Sequence, residues 1–331
     1  MSGVFSIGID LGGTNLRVAA YSAGTDFLET ILLPTRLAAG RERVVQDMCE
    51  AIEALAQRHA GPRQLAGIGI GTPGPLELPQ GVLRNPPNLP GWDGFALRSA
   101  IEATLNREVR LESDANNAAL AEQCLGAGLR YGVSTLCMLT LGTGVGSGLI
   151  FRGQIWNGAT GMGGEAGHMI VRDEGGEPCG CGGSGCLEQY ASASAVLRMA
   201  RERMGEAAAA TAHDVAALAR AGDARACGIF DVVGHSLAVA LTGLINTLNM
   251  PLYLLGGGLC DAWDLFSPAM FREVHLRSYI YRLTEPSELE PERLEEKKTY
   301  ILRAQLGPAA GLLGACLLGF QESSSTGRVG I

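Results

Sequence analysis

Three cysteines and a histidine form the densest group of reactive side chains in the sequence. Cys179, Cys181 and Cys186 follow the spacing C-x-C-x4-C, with His168 eleven residues before the first of them, in the glycine-rich stretch "GHMIVRDEGGEPCGCGGSGCLEQY". Disulfides fit poorly, because the chain has nine cysteines, an odd number. A nucleophilic cysteine needs an activating base more than two neighbouring thiols. Free thiols remain open as a reading, although an exposed glycine-rich loop would leave them prone to oxidation. Three thiolates and one imidazole suit a tetrahedral Zn²⁺ ion, and glycine permits the tight wrapping. Chemistry favours zinc, and four protein ligands would make it structural rather than catalytic.

Two aspartates stand where apolar runs give way to loops or helices. Asp10 ends "FSIGID" beside Gly12, Gly13, Thr14 and Asn15, and Asp114 separates the strand-like "EVRLES" from the helical "ANNAALAE". Either could simply stabilise a turn or cap a helix. Glycine accounts for 47 of 331 residues, about twice the usual share. Three glycine loops follow apolar runs: "DLGGTN", "LGTGVGSG" and "LGGGL". Glycine lets backbone N–H groups approach an anion without a Cβ in the way, so the three together predict phosphate binding. The only lysines, Lys297 and Lys298, lie in a charged run. A P-loop and a protein-kinase site are thereby excluded, since each needs a lysine near its phosphates. Nucleotide phosphates would have to be held by backbone N–H groups, small hydroxyls and a metal ion. Gly69, Gly71 and Gly74 spell G-x-G-x-x-G, but Pro73 and Pro75 stand where a dinucleotide site needs a helix to begin.

The elements that would position these residues are α/β. "FSIGID" and "LRVAAYS" read as strands around a turn, and "RERVVQDMCEAIEALAQRHAG" has helical spacing at Val44, Val45, Met48, Ile52 and Leu55. "LAGIGIGTPGPLEL" is a buried strand entering a loop, and "STLCMLTLGTGVGSGLIFRGQI" is two strands around a glycine turn. "SASAVLRMARERMG", "HDVAALARAGD" and "QLGPAAGLLGACLLGF" read as helices, the alanine run 207–210 as a helix start or linker, and the end as a loose tail. Strand–glycine-turn–strand recurs near residues 10 and 142, which points to two similarly built halves.

A length of 331 residues predicts two domains. With 47% hydrophobic and 18% charged residues, the composition is globular, and a net charge of −8 gives no electrostatic attraction to nucleic acid or an anionic membrane. "MSGVFSIGID" has no charged leader and reads as a first strand. The apolar region 237–259 contains Thr242, Asn246, Thr247, Asn249 and Pro251, and predicts a buried helix followed by a strand rather than a membrane span. A cytoplasmic, reducing location is expected.

"GIDLGGTN", "GIGTPGPL", "NPPNLPGW", "SDANNAALAE", "LGTGVGSGLIFRGQIWNGATGMGGEAGH" and "CGCGGSGCLE" occur in that order. Together they resemble the ROK family of sugar kinases and sugar-responsive repressors, from residue 6 to about residue 318, with bacterial glucokinases the most similar members. The resemblance implies an actin-like (ribonuclease-H-like) fold with a cleft between two α/β domains. Residues 1–115 with 305–331 would form the smaller domain, and 116–304 the larger one carrying the zinc motif. It implies ATP-dependent phosphorylation of a hexose at its 6-hydroxyl, glucose first, with N-acetylglucosamine or N-acetylmannosamine kinase or a non-catalytic sugar sensor as the alternatives. By match to the family, Asp114 is the general base, Asp10 orients Mg²⁺ through water, and Gly12, Gly13, Thr14, Asn15, Gly142, Thr143, Gly144, Gly257 and Gly258 line the nucleotide. Asn88, Ser113, Asp114, Glu165, His168 and Glu188 would hold the sugar, and His168, Cys179, Cys181 and Cys186 the zinc. The family usually has Asn where this chain has Ser113. Repressor members carry an N-terminal DNA-binding extension, whereas this sequence starts on its first strand, so no nucleic-acid partner is expected. A homodimer or homotetramer is.

Overall fold

The fold comes from a computed structural model, which describes residues 3–24, 26–61, 63–205 and 209–321. The chain divides into two units, 1–117 with 311–331 and 118–310. Both boundaries fall somewhat later than the 115/116 and 304/305 divisions expected from sequence, and the first lies inside a continuous helix.

The first unit begins with two apolar strands, Val4–Leu11 (β1) and Asn15–Tyr21 (β2), paired antiparallel around the glycine turn, with Asp10 opposite Arg17. Phe27–Pro34 (β3) pairs with the outer side of β2. Helix α1 (Arg41–His59) buries Val44, Val45, Met48, Ile52 and Leu55, the stripe read from sequence. Gln64–Thr72 (β4) lies parallel to β1. A short hairpin follows (β5, Leu76–Glu77; β6, Val82–Leu83), then α2 (Leu97–Leu105) and β7 (Arg110–Ser113), parallel to β4. The sheet order is β3-β2-β1-β4-β7. Helix α3 (Asp114–Cys124) starts directly at the end of β7.

The second unit repeats this plan. After α4 (Ala127–Tyr131), strands β8 (Leu136–Leu141), β9 (Val145–Phe151) and β10 (Gln154–Ile155) form an antiparallel meander. Helices α5 (Glu188–Ala191), α6 (Ala193–Met204), α7 (Ala212–Arg220) and α8 (Ala224–Leu248) follow. Strand β11 (Leu252–Gly256) then lies parallel to β8, and after α9 (Trp263–Arg277) and α10 (Tyr279–Thr284), β12 (Tyr300–Arg303) lies parallel to β11. The order β10-β9-β8-β11-β12 matches that of the first sheet, so the recurrence near residues 10 and 142 opens two sheets of one topology. Helix α8 is long and apolar enough to cross a bilayer. Its Ile229, Phe230, Val233, Leu237, Leu241 and Ile245 are instead fully buried in the core of their own unit. Half of the alanine run 207–210 (207 and 208) and the tail beyond residue 321 lie outside the described residues.

The last helix, α11 (Ala310–Phe320), returns to the first sheet. It lies on strands stripped of side chains. A Cβ at Gly69 would stand 2.1 Å from the Ala315 carbonyl oxygen, one at Gly8 2.4 Å from Cys316 Sγ, and one at Gly67 2.5 Å from the Gly319 oxygen. Gly71 similarly leaves room for the Asn117 side chain on α3. The G-x-G-x-x-G spelling therefore begins with two glycines that serve helix-on-sheet packing.

Candidate functional site

In the first unit the β1–β2 turn is closed by the Gly12 N–H donating to the Asn15 oxygen at 2.9 Å. Thr35, which sequence reasoning missed, braces it: its N–H donates to Thr14 O at 2.8 Å and its hydroxyl to Gly12 O at 2.7 Å. A Cβ on Gly13 would lie 2.9 Å from the Asn88 carbonyl oxygen. The proposed phosphate turn thus abuts the loop carrying a proposed sugar ligand.

Asp10 is engaged by its cross-strand neighbour. Arg17 donates to Asp10 Oδ2 from Nε at 2.9 Å and also from Nη2. On another side, Gly311 in the first turn of α11 brings its backbone close enough that a Cβ there would be 3.8 Å from the carboxylate. Asp10 also pairs in register with Gly71, whose missing Cβ would sit 3.7 Å from the Asp114 Cα. Both aspartates therefore stand at the carboxyl ends of strands β1 and β7, which flank β4.

Ser113 and Asp114 divide the helix start between them. Ser113 Oγ accepts the Asn116 N–H at 3.1 Å, and Asp114 Oδ1 accepts the Ala115 N–H at 2.7 Å. The capping role that an aspartate here could have filled is met by the serine in the usual N-cap geometry. Behind them, Asn116 Nδ2 donates to the buried Glu112 at 3.1 Å.

In the second unit the β8–β9 turn is closed by the Gly142 N–H donating to Gly144 O at 2.9 Å. The Val145 N–H donates to Glu188 Oε2 at 2.9 Å, and a Cβ on Gly144 would stand 2.3 Å from that same oxygen. Glu188 is thereby fixed to the glycine turn, a link the sequence did not reveal. Gly257 has φ +90°, and a Cβ there would meet the Leu141 carbonyl oxygen at 2.4 Å, so only glycine fits this junction. It brings the Gly257–Gly258 loop against the start of the Gly142–Gly144 turn, with Thr143 exposed. The Glu165 carboxyl lies above the usual range, raised first by the protein around it and then by Glu188, with His168 opposing.

The His168–Cys186 segment folds as a knuckle. Cys179 N–H donates to Gly183 O, Gly185 N–H to Glu177 O, and Leu187 N–H to Met169 O, each at 2.8–2.9 Å. Gly185, at φ +77°, packs where a Cβ would fall 1.9 Å from the Arg172 oxygen. His168 Nδ1 and Cys179 Sγ are 3.6 Å apart, as are the sulfurs of Cys181 and Cys186, and all four ligand atoms lie within 4.8 Å of one another. A tetrahedral site with Zn–S and Zn–N bonds of ordinary length has S···S edges of about 3.8 Å and N···S edges of about 3.5 Å. Burial and the two neighbouring thiols push Cys186 up to about 12, whereas the Gly183 N–H first, with the other thiols, holds Cys181 below its ordinary value. Donor set and spacing both fit a tetrahedral divalent ion.

The residues of each unit assemble as glycine turns at strand ends beside carboxylates, an arrangement suited to phosphate and hydroxyl ligands. The sequence signature of the ROK family matches residues 6–322. This chain belongs to the ROK family. A glucokinase of Halalkalibacterium halodurans is 34% identical over 98% of each chain. The ROK hexokinase of Thermus thermophilus superposes with a TM-score of 0.78 at 34% identity, covering 96% of this chain and 98% of that one. A ROK family glucokinase from Streptomyces griseus, solved with glucose and AMPPNP, gives 0.75 at 28% identity, covering 96% and 100%. The family also reaches regulators: a xylose repressor of Bacillus subtilis is 29% identical over 83% of this chain and 70% of its own length. The two similar sheets described above are the actin-like fold of ROK sugar kinases.

Proposed function

We propose that this ROK chain transfers the terminal phosphoryl group of MgATP to the 6-hydroxyl of glucose. The observation that carries the reading is the full-length similarity to glucokinases joined to the placement of Asp10 and Asp114 at the carboxyl ends of β1 and β7, on either side of β4. Phosphoryl transfer asks little covalent chemistry of a protein: it needs a positioned hydroxyl, an acceptor for its proton and stabilised phosphate charge. Asp114 accepts the proton. Gly12, Gly13, Thr14 and Asn15, with Gly142, Thr143, Gly144, Gly257 and Gly258, offer N–H groups and hydroxyls to the nucleotide, and Asp10 would orient the nucleotide's Mg²⁺, which would offset the phosphate charge. Asn88, Ser113, Glu165, His168 and Glu188 bind the sugar hydroxyls. Glu188 Oε2 is already committed to Val145, so Oε1 meets the hydroxyl.

The four-ligand knuckle holds a structural Zn²⁺ through His168 Nδ1, Cys179, Cys181 and Cys186. Such an ion supplies cross-linking rather than chemistry at the reacting bond. His168 Nε2 is left to face a hydroxyl, and the ligands anchor Glu165 and Glu188 on either side. A cytoplasmic homodimer or homotetramer is the expected form, to be checked by light scattering.

The test is ADP release on a hexose panel with MgATP. Glucose should be the best acceptor, ahead of N-acetylglucosamine and N-acetylmannosamine; no release with any sugar would leave the sensor reading, which the repressor relatives favour.

A further inference from the structure

We propose that Arg17 is a positioning residue of phosphoryl transfer: its guanidinium takes one oxygen of Asp10 and turns the other towards the hydrated metal of the nucleotide. The inference rests on the kinase reading above and adds to it a residue that no motif singled out.

Three observations carry it. Arg17 is the sole lysine or arginine among residues 1–35, so it is the single cation in the chain segment that builds the first phosphate turn. It stands directly opposite Asp10 in the β1–β2 register, one residue beyond the turn's closing pairs. Two of its bonds, from Nε and from Nη2, fall on one and the same oxygen, Oδ2. A bidentate grip on both oxygens would occupy the carboxylate; a grip on one alone fixes its rotation and leaves Oδ1 directed elsewhere. The Asp10 side chain is 14% exposed and that of Arg17 is 35% exposed, so the pair is neither sealed in the core nor free in solvent. Solvent reaches the arginine and screens the pair, which limits what it adds to folding and leaves its one-sided geometry available for a functional use.

The residue type matters. The planar fork of arginine puts two N–H groups on one oxygen, whereas a lysine ammonium is a point charge on a flexible stem and would not fix the carboxylate's rotation. A lysine there would retain the charge near the phosphates and lose the orientation.

Arg17→Ala and Arg17→Lys test this, read by the dependence of rate on MgATP and on free Mg²⁺, by glucose affinity, and by thermal stability. For Arg17→Ala, kcat/KM for MgATP should fall by about 100-fold, by analogy with other charge-stabilising groups in phosphoryl transfer. The Mg²⁺ requirement should rise, while glucose affinity and melting temperature stay near wild type. Arg17→Lys should recover only part of the loss, and millimolar guanidinium ion should restore some activity to Arg17→Ala in a saturable way. Wild-type kcat/KM in Arg17→Ala, or full activity in Arg17→Lys, overturns the proposal. So does a loss that falls equally on glucose affinity and melting temperature, which marks a structural pair. If the wild-type protein phosphorylates no sugar, the kinase reading itself fails. Calorimetry with MgAMPPNP then decides the role of Arg17: unchanged affinity in Arg17→Ala overturns it, and a loss of about tenfold or more upholds it.

Discussion

Ser113 and Asp114 are adjacent residues with separable duties. Asp114→Asn keeps the size and the bond from Ala115 but removes the ability to accept a proton. Turnover should fall by about two orders of magnitude or more, with glucose still bound, measured by steady-state kinetics and calorimetry. Near-normal turnover would mean that another group takes the proton. Ser113→Asn tests the departure from the family pattern. Asparagine caps a helix as well as serine does, so the Asn116 N–H keeps its partner and the melting temperature should barely move. The amide brings a second donor and a longer reach, so the ranking of glucose against its epimers and N-acetyl derivatives should change; an unaltered ranking would show that residue 113 only caps. The strand-to-helix junction at Asp114 was legible in the sequence because an apolar run met a helical one. The serine's cap, the grip of Arg17 on Asp10 and the tie from Glu188 to Val145 were not. Each joins groups through three-dimensional register or helix-end geometry, and composition carries no trace of that.

At the scale of elements, glycine has two uses that spelling cannot separate. Gly12, Gly13 and Gly144 belong to turns, while Gly8, Gly67 and Gly69 let α11 settle on the sheet. Gly69→Ala places a methyl against the Ala315 carbonyl and should cost about 1–3 kcal/mol as the helix shifts outward. Gly61→Ala, with nothing within 4 Å of its Cβ, is the control and should be near neutral; the denaturant midpoint distinguishes the two. The strands and helices themselves were readable, because α1 shows its stripe and β1, β4 and β8 their apolar runs. The grouping of His168, Cys179, Cys181 and Cys186 was readable for another reason: these residues are local in sequence. Cys181→Ser should lower zinc content, measured by mass spectrometry of the metal, and melting temperature together, since metal affinity contributes to local folding. Sugar affinity should fall with them. Metal loss with unchanged sugar affinity would show that the knuckle does not organise Glu165 and Glu188.

At the scale of the whole molecule, one topology is used twice, and each copy ends its central strands in glycine turns beside carboxylates. Fold and family were open to the sequence because the motifs run through nearly its whole length. Substrate and catalytic competence are harder to read, because a glucokinase and a xylose repressor both match most of this chain. A sugar that binds but cannot react separates the two. Xylose and 6-deoxyglucose share the ring hydroxyls of glucose and lack its 6-hydroxyl. Each should therefore meet the same binding groups and stabilise the folded chain, by about 2.7 kcal/mol at a hundredfold excess over its dissociation constant. Neither has the primary oxygen that would attack the phosphorus. In a thermal-shift and product assay run together, glucose should raise the melting temperature and, with MgATP, yield a sugar phosphate. The two analogues should raise the melting temperature, inhibit competitively against glucose and yield none. A sensor gives a different pattern: all three sugars stabilise, no sugar phosphate forms from any of them, and Asp114→Asn changes nothing. Phosphorylation of 6-deoxyglucose would contradict the 6-hydroxyl assignment directly, because the phosphate would have to sit on another oxygen and Asp114 would face the wrong one.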